Sequence, residues 1–181
     1  MMMMKSVAQA KASPPERRPR LKQGLDPIPQ FVALSATLTG FDAAELWGTG
    51  MVRPHYTALG SIVGARVVGA LLSEWARLET LANGDEERLA RLLSDELFAH
   101  VMLGPVTRNL TMLWYLGLWT QLPLEWRDVH GANALDVTHY VSAQAYREGL
   151  VWSAIHAHPQ GAKQPGYGSW SLVPLGGDKH V

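Results

Sequence analysis

The chain has no cysteine. That excludes disulfides, thiolate metal sites and redox thiols, and it leaves the compartment open, because an oxidising location permits disulfides without requiring them. Long apolar runs are also lacking. The best candidate, Ala58 to Ser73, contains Arg66 and falls short of the ~20 apolar residues that cross a bilayer, so it reads as an internal helix and the chain as not membrane-spanning. Charge of one sign is missing overall, with 16 basic and 16 acidic residues. The usual catalytic signatures are absent as well. Gly48-Thr49-Gly50 has Arg53 where a dinucleotide fingerprint needs its third glycine and follows no strand. No phosphate loop or H-E-x-x-H motif occurs, and Ser169 lies in no nucleophile elbow, its neighbours being Gly168 and Trp170.

What is present describes one domain. At 181 residues with 47% apolar content, folding removes roughly 70% of the unfolded chain's surface from water, enough for a single core. The zero net charge hides an asymmetry: residues 1–22 hold six basic residues against Glu16, which makes them +5 and the remainder −5. Residues 1–27, with four prolines and few large apolar side chains, read as a flexible basic tail. Within it Arg17-Arg18 resembles the start of a twin-arginine export signal, but it continues into Pro19-Arg20-Leu21-Lys22 rather than an apolar stretch, so no cleavable leader is expected.

From Ile28 to His158 the pattern predicts an all-α domain of about six helices. Phe31, Leu34 and Leu38 repeat at helical spacing up to Gly40. Asp42 and Glu45 form a capping box for a short second helix. A long third helix is predicted from Pro54 to a stop at Asn83-Gly84, with Gly60 and Gly64 as a close-packing pair. Asp85 caps a fourth that points Leu89, Leu92, Leu93, Leu97 and Val101 inward and ends at Gly104-Pro105. A fifth, Val106 to Gln121, lacks a polar face and reads as central, so the Asn109-Leu110-Thr111 glycosylation sequon inside it is expected to stay unmodified. A sixth runs from Val137 to Ile155, and Pro159 opens an irregular stretch, 159–181, that carries Tyr167 and Trp170. Large aromatics on an irregular segment either fold back on their own domain or anchor a partner.

Histidine is the remaining source of chemistry. His156 and His158 stand two apart, and His130 and His139 could approach them to bind zinc or copper, with Glu148 and Asp136 as acid and base. A small histidine-based metalloprotein or metalloenzyme is therefore the alternative reading. The plainer account of such a pair is capping of a helix C-terminus or lining of an interface. A third reading, a helical regulator with a nucleic-acid-binding arm, rests on residues 1–22 alone and predicts salt-sensitive duplex binding.

Three stretches together carry a resemblance: Phe31-Val-Ala-Leu-Ser-Ala-Thr-Leu-Thr-Gly40; Leu113-Trp-Tyr-Leu-Gly117; and Tyr146-Arg-Glu-Gly-Leu-Val-Trp152 through His156-Ala-His-Pro159 to Lys163-Gln-Pro-Gly-Tyr-Gly-Ser-Trp170. They resemble the small subunit of bacterial membrane-associated, FAD-dependent sorbitol, fructose and glucose dehydrogenases. The resemblance implies a helical protein without catalytic residues that binds no flavin, haem or metal itself. It further implies an escort for the folding or export of a large flavoprotein of the glucose-methanol-choline type, in a periplasmic complex at the inner membrane that also contains a multihaem cytochrome c. It assigns the aromatic end of the chain to the partner, with Trp152, His156, His158, Tyr167 and Trp170 at the interface. No nucleic acid is expected among the partners.

Overall fold

A computed structural model describes residues 26–131 and 133–159. Most of the basic N-terminal segment, together with Tyr167, Ser169 and Trp170, lies outside the described residues. So does every lysine of the chain (positions 5, 11, 22, 163 and 179). The architecture is all-α: α1 Ile28–Thr39, α2 Ala43–Gly48, α3 Val52–Val63, α4 Ala65–Ala82, α5 Glu86–Leu92, a π-helical turn Leu93–Phe98, α6 Leu103–Leu116, α7 Leu124–His130, α8 Ala143–Arg147 and α9 Leu150–Ala154. Two short strands, β1 Leu118–Trp119 and β2 His139–Tyr140, pair antiparallel with Leu118 opposite Tyr140. The domain holds more and shorter helices than the periodicity predicts.

The opening follows the sequence closely. Asp26 accepts a hydrogen bond from the Ile28 amide at 3.1 Å, and α1 stops at Gly40 in the left-handed region at φ 75°, where a residue without Cβ is cheapest. The Asp42–Glu45 capping box forms with both its bonds, 2.8 and 2.9 Å. Asn83, at φ 52°, ends α4, and the Asp85 side chain accepts from the Arg88 amide to start α5.

The long third helix is corrected. Its helical run starts at Val52, with Pro54 inside the first turn, and breaks at Gly64 into α3 and α4, bent by 118°. Gly64 adopts φ 83° and ψ 153°, a region open in practice to glycine alone. The close-packing role given to the Gly60–Gly64 pair is corrected too, since a Cβ built at either meets nothing within 4 Å. The bend turns a single apolar sequence into two walls: Val52, Leu59 and Ile62 on α3, and Val67, Leu71, Trp75 and Leu78 on α4, are all buried. Among the described residues no single helix is long and apolar enough to cross a membrane.

Gly104-Pro105 does not end a helix but lies in the first turn of α6. His100 Nδ1 accepts from the Met102 and Leu103 amides at 3.1 and 3.2 Å, satisfying two of the N–H groups that a helix start leaves open. Position 104 must be small, because a Cβ there would stand 2.3 Å from the Phe98 carbonyl oxygen. Val101 is 83% exposed rather than inward-facing. On the π-helical turn Leu97 is fully buried, and Glu96 pairs with Arg77 of α4, which also bonds Glu74 at 2.6 Å.

As predicted, α6 is central: Val106, Leu110, Leu113 and Trp114 are buried to within 1% of completely, each side chain contributing about 1.5–3 kcal/mol. It ends early, however, at Gly117 with φ 67°, and the chain turns into β1. Met112, at 37% exposure, reaches solvent. Asn109 is buried and its amide is spent on the Thr120 backbone, donating to the carbonyl at 2.6 Å and accepting from N–H at 3.1 Å. That leaves the sequon's acceptor nitrogen engaged inside the fold.

The sixth helix is the largest correction. Val137–Ile155 is a turn, β2 and the two short helices α8 and α9. Ser142 caps α8 by accepting from the Ala145 amide at 2.9 Å. Gly149, between α8 and α9, is packed so that a Cβ would stand 2.6 Å from the Tyr115 carbonyl oxygen. Tertiary contact with the end of α6 dictates the interruption.

One buried group has a measurable consequence. His55, 1% exposed on α3, meets Trp114 edge to face with ring centroids 4.7 Å apart, and its Nδ1 has no hydrogen-bond partner. Burial pushes its pKa down to about 4 from 6.5. The folded state therefore takes up this proton at lower pH than the unfolded chain. Stability is unaffected above about pH 6.5 and falls as the pH drops from there to about 4, by up to about 3 kcal/mol for a shift of that size. Urea titrations over that range should show a shallower acid limb for His55→Leu than for the native chain; equal slopes would assign the acid sensitivity to other groups.

Candidate functional site

The described parts of the three stretches behind the family resemblance meet in space. Ser35 of α1 donates to the Phe31 carbonyl at 2.7 Å and accepts from Trp114 Nε1 of α6 at 2.9 Å. One turn on, the Tyr115 hydroxyl donates to the Thr39 carbonyl at 2.7 Å. These are buried or half-buried bonds between residues 79 and 76 apart in sequence, and they lock α6 against α1. The end of α6 then meets the third stretch through two glycines. A Cβ at Gly117 would lie 2.4 Å from the Ala145 carbonyl carbon, and Gly149 gives way to Tyr115 in turn. Val141 N–H donates to the Gly117 carbonyl at 3.0 Å and closes the junction.

Over this junction lies a cleft of about 420 Å³. Phe41, Glu45, Gly48 and Thr49 form one wall; Glu148, Gly149, Leu150, Trp152 and Ser153 form the other; Ala157, His158 and Pro159 complete it. Trp152 is fixed by donating Nε1–H to the Tyr146 carbonyl at 2.8 Å. Tyr146 stands edge to face with Trp152 at 5.4 Å and with Tyr140 at 5.5 Å, so three aromatic rings run from the cleft to the 57%-exposed Tyr140. Trp47 on α2 and Ile155 beyond α9 are also exposed, 47% and 59%. Two carboxylates, Glu45 and Glu148, line the cleft, and no Lys or Arg does among the described residues.

Of the residues expected at a partner interface, Trp152 and His158 line this cleft. His156 is exposed, held at φ 53° just past α9, and is not part of its wall. Tyr167 and Trp170 lie outside the described residues.

The four histidines are not brought together as a metal site would need. His130 packs on Trp126 with centroids 4.9 Å apart, and His139 Nδ1 lies 2.6 Å from the Val137 carbonyl. Among the described residues, no three His, Asp or Glu side chains gather where they could hold a metal ion. Asp136, 2% exposed, is a structural hub: Oδ1 accepts from Trp119 Nε1 at 2.8 Å and from the Leu122 amide at 3.0 Å, while Arg127 Nε stands 3.4 Å from Oδ2. It is thus committed to the β1–α7 connection rather than placed as a general acid or base.

Two features carry little signal in the sequence. Glu45 reads as a cap, and it also lines the cleft. His55 fell on the apolar stripe Val52, Leu59, Ile62, and its spacing to those residues was the available signal. No family model, curated protein or solved structure matches the chain.

Proposed function

We propose that the chain is a non-catalytic escort and structural subunit of a flavin-dependent sugar or polyol dehydrogenase complex, docking a large glucose-methanol-choline-type flavoprotein through the cleft lined by α2, the 148–149 link and α9. The flavin belongs to the flavoprotein and any haem to a cytochrome c subunit, and the complex works in the periplasm at the inner membrane. One observation carries the reading: the described parts of the three stretches that resemble the dehydrogenase small subunit are scattered in sequence, yet they pack into one junction beside an aromatic, partly open cleft holding Trp152 and His158. Aromatic residues of this kind dominate interface energetics.

The test is co-expression with the flavoprotein encoded by a neighbouring reading frame. Co-purification in fixed ratio, with all the flavin on the large chain, is the expected result. Trp152→Ala and Trp170→Ala should each weaken association by about tenfold or more, the range of buried aromatic anchors, with far-UV circular dichroism unchanged. Substrate turnover or bound flavin, haem or metal in the isolated chain would overturn the proposal, as would undiminished co-purification of both variants.

A further inference from the structure

Resting on the reading of the cleft as the docking surface, we infer that the chain fills it with its own continuation, residues 160–170, laying Trp170 against Trp152, so that a partner meets the two indoles as one surface. The end of α9 sets this up. The Ala157 amide donates to the Trp152 carbonyl at 2.8 Å and the His156 amide to the Ser153 carbonyl at 3.2 Å. These are the two bonds of a Schellman motif, which reverses the chain at a helix end. His156 takes the left-handed position of that motif at φ 53°, a conformation glycine adopts freely and a residue with a Cβ only at a cost. The reversal is thus held against local preference. After it, Ala157, His158 and Pro159 line the cleft, and Pro159, the last described residue, is buried. The chain therefore passes to Gln160 from the cleft itself. Gly161, Pro165, Gly166 and Gly168, all turn-forming types, come next, and Trp170 stands eleven residues beyond Pro159, within roughly 36 Å of extended chain. A segment rooted in the wall of a site meets that site at an effective concentration on the order of millimolar, and the entropy of closing so short a loop is small. The lining suits an indole. Phe41, Leu150 and Trp152 are apolar, and the Trp152 ring is already fixed by its bond to the Tyr146 carbonyl, so a second ring can pack on it without ordering it first.

Because the chain has no cysteine, a single introduced one can report alone. The full chain carrying Ser171→Cys is labelled with ¹⁵N and modified with a nitroxide. The Trp152 indole N–H and the Gly48 and Thr49 amide signals should lose most of their intensity to the spin label and regain it when the nitroxide is reduced. Trp170→Ala in the same chain should restore most of that intensity with the label still active. So should His156→Pro, since proline fixes φ near about −65° and cannot hold the reversal. No loss in the parent, or an equal loss in Trp170→Ala, would overturn the inference. A nitroxide-bearing chain without ¹⁵N, mixed with a ¹⁵N chain that lacks the cysteine, should leave those signals unchanged; broadening there would put the segment of a second copy in the cleft and overturn it equally. Co-purification with a flavoprotein is read separately. That result stands if residues 160–170 lie elsewhere, and the intramolecular broadening remains measurable if no flavoprotein binds.

Discussion

Asp136→Ala should lower the unfolding free energy by about 3–5 kcal/mol, the usual consequence of breaking a buried charged network from one side. The carboxylate is almost wholly buried and its Oδ1 serves two donors, Trp119 Nε1 and the Leu122 amide. Truncation orphans both, at about 1–3 kcal/mol each, and leaves Arg127 without its counter-ion. Asp136→Asn separates these contributions. An amide oxygen can still accept from Trp119, but its NH₂ group confronts the Arg127 guanidinium with a donor, so an intermediate loss is expected. Urea unfolding followed by tryptophan fluorescence and by circular dichroism measures both variants. A loss below about 1 kcal/mol for the alanine variant would mean that solvent replaces the carboxylate and that the site is more open than its burial implies.

A side chain at position 117 should do comparable damage by a different route. Gly117 stands at φ 67°, where a Cβ costs roughly 1–2 kcal/mol, and that Cβ would lie 2.4 to 2.7 Å from the backbone of Ala145 and Tyr146. Backbone cannot rotate aside as a flexible side chain can, so α8 must move away from α6. Overpacking of this kind typically costs a further 1–3 kcal/mol, and Gly117→Val should lose about 4 kcal/mol in all. Because Glu148, Gly149 and α9, which follow α8 directly, line the cleft, association with the flavoprotein should fall with stability in this variant. Gly60→Val, where a Cβ meets nothing, is the control and should be neutral or slightly stabilising, because valine is a better helix former than glycine. Equal effects at positions 117 and 60 would contradict the account of the α6–α8 junction.

Local chemistry made part of this fold legible. Gly40, the Asp42–Glu45 box, Asn83 and Asp85 act within one helical turn of themselves, and each stands where its type predicts. The illegible positions are those whose conformation is set by residues far away. Gly104 reads as a terminator, but it is there because the Phe98 carbonyl approaches. The periodicity of Val137–Ile155 suggests one helix, yet Gly149 must admit Tyr115 and the helix divides. The cleft is half legible: the aromatic character of Trp152 marks one part of its lining, whereas Glu45 and Thr49 line it through tertiary placement that no local pattern carries.

The elbow at Gly64 has a bearing on how this chain reaches its native state. Helices α3 and α4 are joined by one residue, so their mutual contacts close almost no loop and can form at little entropic cost. The Ser35–Trp114 bond, in contrast, joins residues 79 apart. Topologies with such short-range contacts are assembled quickly, and the distant pairings follow. The bent pair is thus suited to serve as an early scaffold on which α1 and α6 later converge, so that the aromatic cleft, which depends on both, would be among the last surfaces to mature.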